Sequence, residues 1–169
     1  MGVSGRTSDD AFAAFARSAG TSLYRTAWLL CGDTDIAKEL TQAALVKAYV
    51  AWGRIDPTTA LPYTRRILVR ENVDRFRRRR EYPVAETPER ADPISAEDAF
   101  AERERVAGML ATLPIRQRQV LVLRFYDDLS EAQIADALGI PVGTVKSTAH
   151  RALESLRTHY AHALEGELA

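Results

Sequence analysis

Apolar residues recur three and four positions apart over nearly the whole chain, which is the spacing of one buried helix face after another. From Asp35 to Trp52 one stripe runs through Ile36, Leu40, Ala44 and Ala51, and a second, on another face, through Leu45, Tyr49 and Trp52. A helix apolar on two faces is either sandwiched in a bundle or keeps one face for a partner. After "WGRIDPTTALP" a further helix runs to about Arg80, with Pro62 near its first turn and no clean core stripe. "MLATLPIRQRQVLVLRFYDDL" predicts another helix, with Pro114 in its first turn and Val120, Leu121 and Leu123 as core. Its "VLVL" run is apolar enough for a strand but sits inside a helical frame. The pattern therefore predicts an all-α chain.

Punctuation divides it. Prolines 83, 88 and 93 in "EYPVAETPERADPIS" alternate with acids, a composition that resists both helix and sheet. The expectation is two small helical domains, 8–80 and 97–165, joined by a flexible acidic linker, 81–96.

Charge sharpens this division. The net charge is zero, but by cancellation. From Leu61 to Arg80 eight arginines face Glu71 and Asp74, giving +6; from Glu81 to Glu104 eight acids face Arg90 and Arg103, giving −6. Solvated helices usually mix Lys with Glu, whereas this one is nearly all Arg, with Tyr63 and Phe76 interleaved. Arginine's planar fork suits phosphate contact and base stacking, so nucleic acid is the expected partner of helix 62–80.

The stretch "LSEAQIADALGIPVGTVKSTAHRALESLR" carries the sharpest motif. Ser130 with Gln133 three residues on is a capping box. Ile134, Ala135 and Leu138 form one apolar face, Gly139 stands where a left-handed residue stops the helix, and Pro141 sets up the next. Small Ala135 permits a close helix crossing, so the spacing is that of a helix-turn-helix. In the second helix, Val145, Ala149, Ala152, Leu153 and Leu156 fall on one face, and Ser147, His150, Arg151 and Glu154 on the other, flanked by Thr144 and Lys146. Those polar groups lie mostly near the helix start, where a recognition helix meets base edges in the major groove.

Three segments in order resemble the extracytoplasmic-function group of bacterial sigma factors, the smallest members of the sigma-70 family. "DIAKELTQAALVKAYVAWGRI" resembles its region two, "LPYTRRILVRENVDRFRRRR" the promoter-melting helix that follows, and the helix-turn-helix segment its region four. The resemblance implies that Glu39, Leu40, Gln42, Leu45 and Tyr49 dock on the clamp helices of the largest subunit of core RNA polymerase. It implies that the loop Asp56–Leu61, with Asp56, Thr58 and Leu61, captures a base flipped from the −10 element. Arg65, Arg66, Asn72, Asp74, Arg75 and Arg77 would hold the melted strand, and Thr144, Lys146, Ser147, His150 and Arg151 would read the −35 element in duplex DNA. Further implied partners are the flap of the second-largest polymerase subunit and an anti-sigma factor, while the linker would thread the polymerase's basic channels. The pattern is departed from at Ala43 and Leu45, where an acid and a phenylalanine are common, and at Thr148 and Ala149, where an arginine and a leucine are.

The alternatives are weaker. A stand-alone helix-turn-helix regulator needs a sensor or dimerisation domain, and nothing in residues 8–80 reads as one. An enzyme needs a nucleophile–base pair, a paired carboxylate cluster or a phosphate loop, and none is visible. His159 and His162, with Glu165 beyond, have helical spacing for a metal but read as solvated, so no cofactor or metal is expected. Lone Cys31 reads as a small buried hydrophobe. With no apolar run of membrane length and a polar, acidic N-terminal stretch, the expected location is the cytoplasm. No further domain is read after residue 165, so regulation is expected from outside the chain.

Overall fold

The computed structural model describes the backbone of residues 3–81 and 105–167, and the side chains of 8–78 and 105–159. Of the segment 81–96, read above as linker, Glu81 ends a helix and 82–96 lie outside the described residues. Among them every regular element is helical, and the chain divides into two compact units, Met1–Ala91 and Asp92–Ala169.

The N-terminal unit is a three-helix bundle of α1 (Val3–Cys31), α2 (Thr34–Ala51) and α3 (Ala60–Glu81), each packed on the other two. The α1–α2 corner is local chemistry. Gly32 takes φ 72, open to a residue without Cβ, and its N–H donates to Trp28 O at 2.7 Å. Asp33 then caps α2, its carboxylate accepting from Ile36 N at 2.8 Å. Cys31 is only half-buried, its thiol donating to Asp33 O at 3.2 Å, so it joins this corner rather than the core.

The core is Ala19, Leu23, Ala27 and Leu30 of α1, Ala37, Leu40, Ala44 and Ala48 of α2, and Ala60, Leu68 and Val69 of α3. The buried stripe of α2 thus runs 37–40–44–48; Ile36 and Ala51, expected on it, are half-buried. Helix α3, expected to lack a stripe, has one at Ala60, Thr64, Leu68 and Asn72. Two of its four members are polar, which hid it, and the Thr64 hydroxyl is satisfied by donating to Ala60 O at 2.8 Å.

The C-terminal unit contains α4 (described over 105–111), α5 (Ile115–Leu121), α6 (Glu131–Leu138) and α7 (Val142–Glu167). Pro114 caps α5 rather than sitting in its first turn. "VLVL" is buried throughout, its first half ending α5 and its second opening a π-helical turn, Val122–Tyr126. Just beyond that turn Asp128 takes φ 52, a left-handed position Asp tolerates better than most residues. Arg116 and Arg118 cap helix ends. Arg116 Nη1 donates to Leu138 O at 3.4 Å, and Arg118 donates to Leu110 O at 2.9 Å and Ala111 O at 3.1 Å.

Candidate nucleic-acid and partner interfaces

The turn between α6 and α7 is built as the sequence requires. Ser130 N donates to Gln133 Oε1 at 2.8 Å, and Gln133 N to Ser130 Oγ at 3.3 Å, a complete capping box. Gly139 ends α6 at φ 63, ψ 42, and Ile140 N returns to Ala135 O at 3.0 Å. Pro141 O receives Thr144 N at 2.9 Å and Val145 N at 3.2 Å, starting α7. Ile134, Ala135 and Leu138 are buried, with Ala137 added to them.

This scaffold seats α7 by Val145, Ala149 and Ala152, leaving Lys146, Ser147, His150, Arg151 and Glu154 exposed and Thr144 half-buried. One assignment shifts, and one residue not assigned to a face joins the core. Leu153, expected inward, is 42% exposed, while Thr148 is buried at 4%. The inward face is therefore rotated toward Thr148. Arg151 Nε donates to Ser147 O at 3.2 Å and Ser147 Oγ to Thr144 O at 3.2 Å, so the polar face is ordered along the helix and its remaining donors point outward. Glu131, the first residue of α6, faces two cations: Arg124 Nη1 at 2.8 Å and Lys146 Nζ at 3.6 Å.

In the N-terminal unit the arginine helix presents Arg66, Asp74 and Arg77 to solvent, with Arg65 and Arg75 half-buried. Arg75 Nη1 donates to Glu39 Oε2 at 2.8 Å, and Lys47 of α2 pairs with Glu71 of α3. Asn72 departs from its assignment. It is 1% exposed on the buried stripe, and its Nδ2 lacks a hydrogen-bond partner, so its side chain belongs to the core and not to a DNA-facing surface. The segment expected as a loop, Asp56–Leu61, is instead a 3₁₀ turn (Pro57–Thr59) running straight into α3. Asp56 caps that turn, accepting from Thr58 N at 2.8 Å and Thr58 Oγ1 at 2.6 Å, which hold its carboxyl below the usual value. Asp56 and Thr58 are exposed and Leu61 is half-buried.

On the opposite face of α2, Val46, Tyr49 and Val50 are 55%, 48% and 78% exposed. Beside it lies an apolar groove of about 540 Å³ lined by Phe12 and Tyr24 of α1 with Gln42, Leu45, Val46 and Tyr49 of α2. Phe12, Phe15, Tyr49 and Trp52 form one aromatic cluster, the Phe12–Tyr49 and Phe12–Trp52 centroids 5.0 and 5.1 Å apart. The Tyr49 hydroxyl donates to Asp9 Oδ1 at 2.9 Å, and that bond to a carboxylate raises its pKa. Gln42, Leu45 and Tyr49 are thus brought together as expected. Leu40 is not: at 5% exposure it is core, and Glu39 sits on the α3 side with Arg75. Phe12, Tyr24 and Val46 were missed, the first two because a groove between helices leaves no mark on either helix's own periodicity.

Among the described residues no group of three or more His, Cys, Asp or Glu could hold a metal. The side chains of His162 and Glu165 lie outside them. No described helix is long and apolar enough to cross a membrane.

Two family models match the chain: Sigma-70 region 2 over residues 15–82 and Sigma-70 region 4 over residues 103–156. The RNA polymerase sigma-E factor of Streptomyces avermitilis is 37% identical over 149 residues, covering 86% of this chain and 83% of that one. The chain belongs to the extracytoplasmic-function group of the sigma-70 family. It is a sigma factor, and its relatives reach beyond one genus: the extracytoplasmic-function sigma factor SigW of Bacillus subtilis is 30% identical over 164 residues, 88% of each chain. The fold agrees with that of the sigma factor RpoE from Bartonella quintana, solved with the anti-sigma factor NepR. Its TM-score is 0.69 at 21% identity, over 87% of this chain and 94% of that one. Region 2 coincides with the bundle that carries the arginine helix and the apolar groove, and region 4 with the unit that carries the helix-turn-helix.

Proposed function

We propose that this sigma factor docks on core RNA polymerase through the groove face of α2, reads a −35 element with α7, and holds an opened −10 element with the solvent side of α3. Gln42, Leu45 and Tyr49, joined by Val46 and Val50, meet the clamp helices of the largest subunit. Exposed valines beside an aromatic-lined groove are what a partner helix buries. Lys146, Ser147, His150 and Arg151, flanked by Thr144, meet base edges and phosphates in the major groove. Arg65, Arg66, Arg75 and Arg77 neutralise the separated strand, and Asp56, Thr58 and Leu61 border the position of an extruded base. The polymerase performs the chemistry, in the cytoplasm, and this chain selects where it starts. An anti-sigma factor competing for the α2 groove is the fitting regulator.

The observation that carries this reading is the pairing in one chain, and in order, of a region 2 bundle with an exposed apolar α2 face and a region 4 unit whose α7 presents a polar face over a fully capped turn. The test is run-off transcription with purified chain, core bacterial polymerase and a pool of promoter fragments. Initiation that requires the chain and converges on a shared −35/−10 pair is the expected result. Tight duplex binding by the chain alone, without any association with core polymerase, would make it an ordinary helix-turn-helix regulator instead.

A further inference from the structure

Glu131 places one carboxylate between two cations that belong to different parts of the DNA-reading unit. Arg124 Nη1 donates to its Oε1 at 2.8 Å, and Lys146 Nζ lies 3.6 Å from its Oε2, so both oxygens are engaged. The Glu131 side chain is 28% exposed, against 65% for Lys146 and 38% for Arg124. It is also the best-anchored of the three, standing one residue after the Ser130 cap on the first turn of α6. Arg124 is also steadied by Phe125, whose ring centroid lies 5.7 Å from its guanidinium carbon. Lys146 has no such support of its own. A four-carbon stem ending in a point charge samples many rotamers and meets any phosphate within reach.

Two consequences follow for a helix that must distinguish sequences. A carboxylate fixed behind Lys146 narrows the directions the ammonium takes, which favours base edges at one or two positions over the phosphates that are everywhere. The same carboxylate cancels about one unit of positive charge on a surface where each added cation strengthens binding to all DNA alike. We infer that Glu131 is a positioning residue that sets −35 selectivity without touching DNA, by aiming Lys146 and lowering the non-specific phosphate attraction of the α6–α7 surface. This rests on α7 being the recognition helix.

The test uses the full chain with core polymerase and a promoter identified by run-off, its −35 segment randomised, selected at several salt concentrations. Wild type enriches a −35 sequence. Glu131→Gln keeps or gains total DNA retention, its preference at one or two base pairs flattens by about five- to tenfold, and its retention falls more steeply with salt, by about 0.9 in the log–log slope. Lys146→Ala loses preference at the same base pairs, and adding Glu131→Gln to it flattens them no further. Glu131→Asp, with the charge kept and the reach shortened, restores the salt slope but not the preference. A residue that merely holds the fold would lower retention on every sequence and leave preference intact. Unchanged preference and salt slope in Glu131→Gln, or flattening that adds fully to that of Lys146→Ala, overturns the inference. A wild type that enriches no −35 sequence overturns the reading of α7 itself, and shows in the wild-type arm alone.

Discussion

Gly139 shows how much one backbone angle carries. At φ 63 it ends α6, and a Cβ built there meets nothing within 4 Å, so Gly139→Ala isolates the cost of the left-handed backbone from any clash. The expected loss is about 1–2 kcal/mol, seen as a lower Tm with unchanged helicity. Asn72 makes the opposite case. Its buried amide has an orphaned Nδ2, so Asn72→Leu removes an unmet polar group from the core and is expected to raise stability by about 1 kcal/mol. Promoter opening should survive that change; lost opening at full stability would return Asn72 to the DNA-contacting set. Asp56 supplies a pH signature. Thr58 holds its carboxyl below the ordinary value, so the contribution of this cap is present above that ordinary value and fades as pH falls through the lowered folded one. The Thr58 amide resonance should therefore titrate at lower pH than that of an ordinary aspartate cap, and Asp56→Asn should abolish that titration.

At the scale of elements, legibility depended on what each residue type signals. The helix-turn-helix was readable almost residue by residue, because capping serine, paired glutamine, stop glycine and apolar triplet each have one physical reason for their position. The ends of the α2 stripe were not. Leu40 and Ala44 are buried as expected, but Ile36 and Ala51 stood in for Ala37 and Ala48, because alanines contribute little apolar signal. The stripe of α3 was hidden behind Thr64 and Asn72. The groove of α2 needed a second helix, α1, to exist at all. From these faces comes a paired expectation. Val46→Ala with Val50→Ala trades exposed β-branched residues for a better helix former, so Tm should hold or rise slightly, while retention on core polymerase falls about tenfold. Leu40→Ala, on the buried face of the same helix, should cost about 2–5 kcal/mol and weaken retention only in proportion to unfolding. If instead the valine pair leaves retention unchanged, the docking face of this helix lies elsewhere.

Over the whole molecule, each unit has a core of its own, and that separates its functions. Leu68 and Leu123 are both fully buried, one in the region 2 bundle and the other at the π-helical turn within region 4. Truncating either to alanine should cost about 2–5 kcal/mol, the transfer loss plus the cavity left behind, a large fraction of what a domain of this size has to spare. The cost should fall on one unit only. Leu123→Ala should abolish selection of a −35 sequence while co-purification with core polymerase persists, since α2 and its aromatic cluster draw nothing from Leu123. Leu68→Ala should do the reverse, losing polymerase retention while the helix-turn-helix amides keep their native chemical shifts. Loss of both activities from either substitution would mean that the two units fold as one cooperative body, and the division of labour along the chain would have to be redrawn around a shared core.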